Sequence, residues 1–271
     1  MLCTSENGNA SCFQRRRRFV GWLVVLIVCW GTSRAAADEG LAPKTTEGES
    51  PDVKRVLLVT GEDYPGHKWK ETTPVLAKAI GGDERLQIEI AWETTALTRD
   101  DLAEYDGIVL HFKNYDPNVP GPKARKNLER FVADGGGLVL VHFACGAFQE
   151  WPEFERLAGR VWDPKLRGHD PHGPFTVHIV DHAHPITHAM EDFETVDELY
   201  TCLAGKTPIR VLANATSKVE GKAYPMAFVL EYGKGRVFHS PLGHDVKALS
   251  VPEVAALFRR GTAWSVGLDP Q

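Results

Sequence analysis

Two stretches of the chain are apolar without a break, Val56-Leu57-Leu58-Val59 and Leu138-Val139-Leu140-Val141. Strands covered by helices on both faces read this way, because neither side meets water. Between them the pattern switches period. A strand over Arg55–Thr60 leads to a helix around Pro74–Ile80, stopped by Gly81-Gly82, and then to a strand over Gln87–Trp92. A strand over Gly107–Phe112 leads to a helix over Pro122–Asp134, stopped by Gly135-Gly136-Gly137, and then to a strand over Leu138–His142. In the second helix Ala124, Leu128, Phe131 and Val132 fall on one face. Repeated strand, helix and strand predict a doubly wound α/β fold, with a mostly parallel sheet flanked by helices.

Beyond His142 the rhythm breaks. Residues 144–206 carry many Pro, Gly, His and Trp, with only short strand-like pieces such as Phe175–Val180, and predict an irregular excursion beside the sheet. Regular structure returns with strands over Ile209–Ala213, Met226–Glu231 and Arg236–Ser240, the last two joined through Tyr232-Gly233-Lys234-Gly235 like a hairpin. A closing helix starts near Pro252, with Ser250 and Glu253 at capping-box spacing and Val254, Leu257 and Phe258 on one face. No internal repeat is visible.

The amino-terminal pattern belongs to a different class of segment. Arg15 to Arg18 precede an apolar run from Phe19 to Trp30, which ends before Ala35-Ala36-Ala37. A run of about a dozen residues is short for a membrane span, which needs about 20. The layout predicts a cleavable export signal over residues 1–37, cut after Ala37, and a flexible lead-in over 38–52 rich in Glu, Thr, Gly and Pro. The paired arginines also permit the twin-arginine route, and an uncleaved leader would tether the domain to the membrane.

Charge narrows the partners. Cleavage removes five arginines and one glutamate, leaving 26 basic and 35 acidic side chains, a net charge of −9. Such a surface repels phosphate backbones, so nucleic acid is excluded as a partner, and a membrane is one only through an uncleaved leader. Three of the five cysteines lie in the leader, so Cys145 and Cys202 form at most one bridge.

The candidate chemistry is histidine. In an open α/β sheet ligands gather beyond the carboxyl ends of the strands, and here four strand ends run into His67, His111, His142 and the His239 to His244 stretch. Imidazole binds a metal when neutral and carries a proton near neutral pH. Six of the eleven histidines fall between Arg167 and Met190. His172, His178, His182 and His188 read as a solvated surface; His169, held by Gly168 and Asp170-Pro171, and His184, held by Pro185, read as presented groups.

Several short motifs in a fixed order resemble the trehalose-utilisation (ThuA-like) family. They are Val59-Thr60-Gly61 leading to His67-Lys68-Trp69, Gly135 to His142, Gly168-His169, His184-Pro185-Ile186-Thr187, Asp197-Glu198-Leu199-Tyr200, Gly233 to Val237, and Leu242-Gly243-His244-Asp245. The resemblance covers Arg55 to Gly267. It implies a class I glutamine amidotransferase-like fold and a role in carbohydrate metabolism, on keto-disaccharides or related glycosides. It also implies lost glutaminase chemistry: Phe143-Ala144 stands where an amidotransferase has its cysteine, and Phe238-His239-Ser240-Pro241 lacks the expected glutamate. Carried over position by position, His142, His244, Glu198 and Asp245 are the candidate catalytic residues. His67, Trp69, His111 and Lys113 are candidates for substrate binding. A divalent metal, zinc or similar, is the candidate cofactor, with His142, His169 and His184 as ligands. Trp92, Trp151 and Trp162 join Trp69 as candidates to stack on a sugar.

Three functions fit these residues: an exported enzyme hydrolysing or isomerising a small carbohydrate through a histidine-rich, metal-assisted site; a non-catalytic carbohydrate-binding protein on the same scaffold; and a cysteine amidohydrolase using Cys145.

Overall fold

The computed structural model describes residues 52–271, apart from 62–65, 115, 117, 149 and 202. The expected leader and nearly all of the lead-in lie outside the described residues, as does Cys202, and with it the Cys145 pairing. No helix among the described residues is long and apolar enough to cross a membrane.

The expected parallel strands form. β1 (Lys54–Thr60) is flanked by β2 (Leu86–Ala91) and β3 (Gly107–His111), and β4 (Gly137–Val141) and β11 (Gly235–Ser240) continue the parallel array. Helices cover both faces. Leu58, Val139 and Phe238 face α1 (Trp69–Ile80) and α5 (Pro252–Ser265), while Leu57, Leu138 and Val237 face α2 (Pro122–Ala133) and α3 (Pro152–Ala158). Each of these strand residues is at most 1 % exposed, which is why their sequence shows no alternation.

In the other half of the sheet the expected strands and hairpin form, and the departure lies in the 144–206 segment. β10 (Ala223–Tyr232), β9 (Arg210–Thr216), β6 (Gly173–Ile179) and β7 (Phe193–Asp197) follow β11 in space, every pairing antiparallel, and complete a nine-stranded sheet. The 144–206 segment is therefore not beside the sheet: β6 and β7 extend it. Phe175, Val177 and Ile179 alternate with more exposed residues on β6, so a single face is buried. Among the described residues only the pair β5 (Val161–Trp162) and β8 (Leu203–Ala204) stands apart.

Two further expectations shift. α1 begins five residues before Pro74, because Trp69, Thr72, Thr73, Leu76 and Ile80 make a buried stripe that outweighs the proline inside it. Ser250 does not cap α5; it ends the short α4 (Val246–Leu249), its hydroxyl donating to the Val246 carbonyl at 2.6 Å.

α5 packs close to β11 at Gly261, where an added Cβ would lie 2.2 Å from Phe238 Cδ1. Gly261→Ala is expected to lower stability by about 1–2 kcal/mol, because an overpacking cost of about 2–3 kcal/mol exceeds the ~1 kcal/mol gain in helix propensity. Denaturant midpoints of the two proteins check this.

Candidate active site

The parallel strands end together, and the loops leaving those ends converge on one rim of the sheet. After β1 the chain turns back into α1 through His67. After β4 it enters a tight turn at His142, and after β11 it passes Pro241 to His244. Glu198 arrives from the far edge, one residue past β7. One ligating atom from each of His67, His142, Glu198 and His244 lies within 4.8 Å of all the others.

His142 organises the group. Its backbone adopts a left-handed conformation, φ 48°, which costs a non-glycine residue on the order of 1–2 kcal/mol. Its Nδ1 lies 2.7 Å from the Pro241 carbonyl. A carbonyl only accepts, so Nδ1 carries a proton and Nε2 is the ring atom turned inward. Around Nε2 stand His67 Nε2 at 3.2 Å, the Tyr200 hydroxyl at 3.2 Å, His244 Nδ1 at 3.3 Å and Glu198 Oε2 at 3.5 Å. His244 Nδ1 is also 3.2 Å from Glu198 Oε2.

Electrostatics sort the four. His67 lies flat on Phe143, with centroids 4.4 Å apart, and burial followed by the neighbouring His142 and His244 pushes its pKa down to about 2, so it stays neutral. Burial alone would raise Glu198, but its contacts with the imidazoles of His142 and His244 outweigh it and hold the carboxyl well below the usual range. The hydrogen bond to Glu198 raises His244. An ionised carboxylate among imidazoles is a divalent-cation donor set. A tetrahedral ion with bonds of about 2.0–2.2 Å sets its ligand atoms about 3.3–3.5 Å apart, close to four of the six separations here, 3.2, 3.3, 3.2 and 3.5 Å, the other two lying within 4.8 Å.

The remaining candidates divide. His169 is outside the four-ligand set but borders it: its Nδ1–H donates to the Asp170 carbonyl at 2.7 Å, and its Nε2 is 3.5 Å from the other oxygen of Glu198. His184 is not a ligand to this group. Its Nδ1 accepts the Ile186 N–H and its ring packs on Trp264 of α5 at 5.2 Å, because Pro185 turns it into the core. Asp245 is a helix cap, accepting the Ala248 N–H at 2.8 Å. His111 is fully buried beneath the cluster, between the hydroxyls of Thr73 and Thr72 and against Phe143, where it cannot touch a substrate. His239 points to the opposite face and donates from Nδ1 to the Ala158 carbonyl at 2.9 Å. Trp69 is buried in the core, and Trp151 stacks on Phe154. Trp92 is 47 % exposed and tilted on Trp69, 6.3 Å away. Trp162 touches the site through an edge contact with Tyr200 at 5.6 Å, and the Lys113 ammonium lies 4.3 Å over its ring.

Three contributors were not expected as site residues: Tyr200, whose hydroxyl meets His142; Phe143, which stacks on His67; and His172, expected on the surface but 5.2 Å from the His244 ring. Tyr200 shares the Asp-Glu-Leu-Tyr motif with Glu198, the one signal that could have found it. A cavity of about 610 Å³, lined by Tyr105, Asn127, Phe131 and Gly136, lies at the opposite rim, where β3 and β4 begin, and holds no histidine.

Solved structures with this architecture include a ThuA-like protein from Parabacteroides merdae, 24% identical, covering 81% of this chain and 92% of its own, with a TM-score of 0.71. A second, from Bacteroides uniformis, is 19% identical over 83% of this chain and 95% of its own, with a TM-score of 0.64. A glutamine amidotransferase from Thermotoga maritima shares the fold at 14% identity and a TM-score of 0.50, covering 80% of this chain and 99% of its own. No curated protein matches the chain. The family model for trehalose utilisation matches residues 55–265, which takes in all four clustered side chains, and the chain therefore belongs to the ThuA family.

Proposed function

We propose that this protein is an exported enzyme that binds one divalent cation through His67, His142, Glu198 and His244, and uses it for acid/base hydrolysis or isomerisation of a keto-disaccharide or related glycoside. The observation that carries the reading is His142 turned by the Pro241 carbonyl so that its Nε2 faces two more imidazole nitrogens and an ionised carboxylate. Such a convergence of imidazole nitrogens and a carboxylate oxygen suits a cation, and a backbone carbonyl fixing the tautomer is the usual support of a metal-binding histidine.

A bound cation there would polarise a sugar carbonyl or activate a water. The chain's own groups set the rest. His142 is wholly buried, whereas the side chains of His169 and His172 are 33 % and 37 % exposed, so substrate reaches the centre from their side. Tyr200, Trp162 and Lys113 wall that approach with an aromatic surface and a cation suited to sugar rings and hydroxyls.

Metal analysis of the purified protein tests the proposal. About one equivalent of zinc, manganese, iron or nickel is expected, with turnover of a keto-disaccharide lost on chelation and restored by the ion. A protein that takes up none of these ions on titration would overturn it.

A further inference from the structure

Glu198 and His244 approach each other from strands that are not neighbours. β7 is the edge strand and β11 lies four positions away, so no ladder of backbone hydrogen bonds sets one against the other. What joins them is Asp197, the last residue of β7 and fully buried. Its Oδ1 accepts the N–H of Glu198 at 2.8 Å and that of His244 at 3.2 Å, and its Oδ2 accepts the N–H of Gly243 at 2.7 Å. The loop it grips is tight: Gly243 has φ 108°, and a Cβ there would lie 2.8 Å from Leu249 Cδ2.

We propose that Asp197 is the positioning residue of the cation site, fastening the Glu198 and His244 loops in register and placing a negative charge behind the ligands. The inference rests on the metal reading above. Two physical arguments support it. All three partners are N–H donors spread over both oxygens, so only a carboxylate satisfies them; an amide would turn its NH2 toward one of them. Three neutral imidazoles, one carboxylate and a divalent cation also leave one uncompensated positive charge in a largely buried site, and Asp197 supplies its counter-charge. Burial pushes the Asp197 carboxyl up, and the three N–H donors offset part of that cost.

Groups that hydrogen-bond and orient metal ligands are typically worth about 10–100-fold in affinity. The test measures zinc dissociation constants by chelator competition, and the visible spectrum of the cobalt-loaded protein, for wild type, Asp197→Asn and Gly261→Ala. The expected result is a 10–100-fold weaker zinc constant and an altered cobalt spectrum in Asp197→Asn alone. Gly261→Ala, destabilised away from the site, should bind as wild type does. Should Asp197→Asn fail to fold, Asp197→Ser, which keeps a small acceptor, gives the same comparison. Wild-type affinity in the folded Asp197 variant, or equal weakening in Gly261→Ala, would overturn the inference alone. A wild type that binds no cation would remove the metal reading, and this inference with it.

Discussion

His142→Ala is expected to weaken binding of a divalent cation by on the order of 10²–10³-fold. The magnitude comes from structural zinc sites, whose four ligands together contribute about 10–16 kcal/mol, or about 2.5–4 kcal/mol each, and every 1.4 kcal/mol is about tenfold. His142 is the ligand with the largest expected loss because the other three are arranged about it: His67 Nε2, His244 Nδ1 and Glu198 Oε2 all lie within 3.5 Å of its Nε2. Removing its ring also frees the Pro241 carbonyl and leaves the Tyr200 hydroxyl to turn elsewhere. Global stability should fall only modestly, since the apolar packing of β4 and α5 does not use the ring. His184→Ala separates loss of a ligand from the general effect of deleting a buried ring. That ring packs on Trp264 away from the cluster, so its loss should lower stability and leave cation affinity as in wild type. Isothermal titration with zinc on the three proteins decides the matter, and unchanged affinity in His142→Ala would remove the metal centre.

The sequence showed the parallel strands and the β10–β11 hairpin but hid β7 and the joining of β6 and β7 to the sheet, for one physical reason. Strands buried on both faces, such as Val56 to Val59, announce themselves as continuous apolar runs. β7, Phe-Glu-Thr-Val-Asp, buries Phe193, Thr195 and Asp197, and two of those three are polar, so its pattern is faint. The same strand carries Asp197 to the site, which is why the structural half of the Asp-Glu pair was invisible while Glu198 stood out as chemistry. The histidines show a similar limit. Strand ends placed His67, His142 and His244 on one rim, but the side chain's direction depends on local backbone and partners. His184 turns inward beside Pro185, and His239 alternates to the far face of β11, so neither spacing nor residue type could separate them from the site histidines.

Acidification from pH 7 to pH 5 is expected to cost the metal-free protein about 5 kcal/mol of stability, a large part of the 5–15 kcal/mol typical of a folded domain. His67, His111 and His239 carry pKa values pushed down to about 2, 3 and 4 from 6.5, in each case chiefly by burial. The sign is set by which state takes up the proton. Below pH 6.5 the unfolded chain protonates these rings, while the folded protein holds them neutral until its own lowered values are reached. Stability therefore falls with falling pH throughout that window. At 1.36 kcal/mol per pH unit each ring contributes about 2 kcal/mol by pH 5. His244 acts in the opposite sense: its pKa is raised by Glu198, so its contribution is fully present below the unfolded value and fades as pH rises through the folded one. Asp197, pushed up by burial, acts in the same sense as His244, and the two offset part of the loss. His239 shows the cause in atoms, because its Nδ1–H already donates to the Ala158 carbonyl while Nε2 is buried without a hydrogen-bond partner, so a second proton there would have no acceptor. Denaturant unfolding of the chelated protein at pH 7 and pH 5 measures the loss. His239→Met, apolar and similar in bulk, should remove about a third of it, and equal stability at the two pH values would show that these rings take up protons in the folded state.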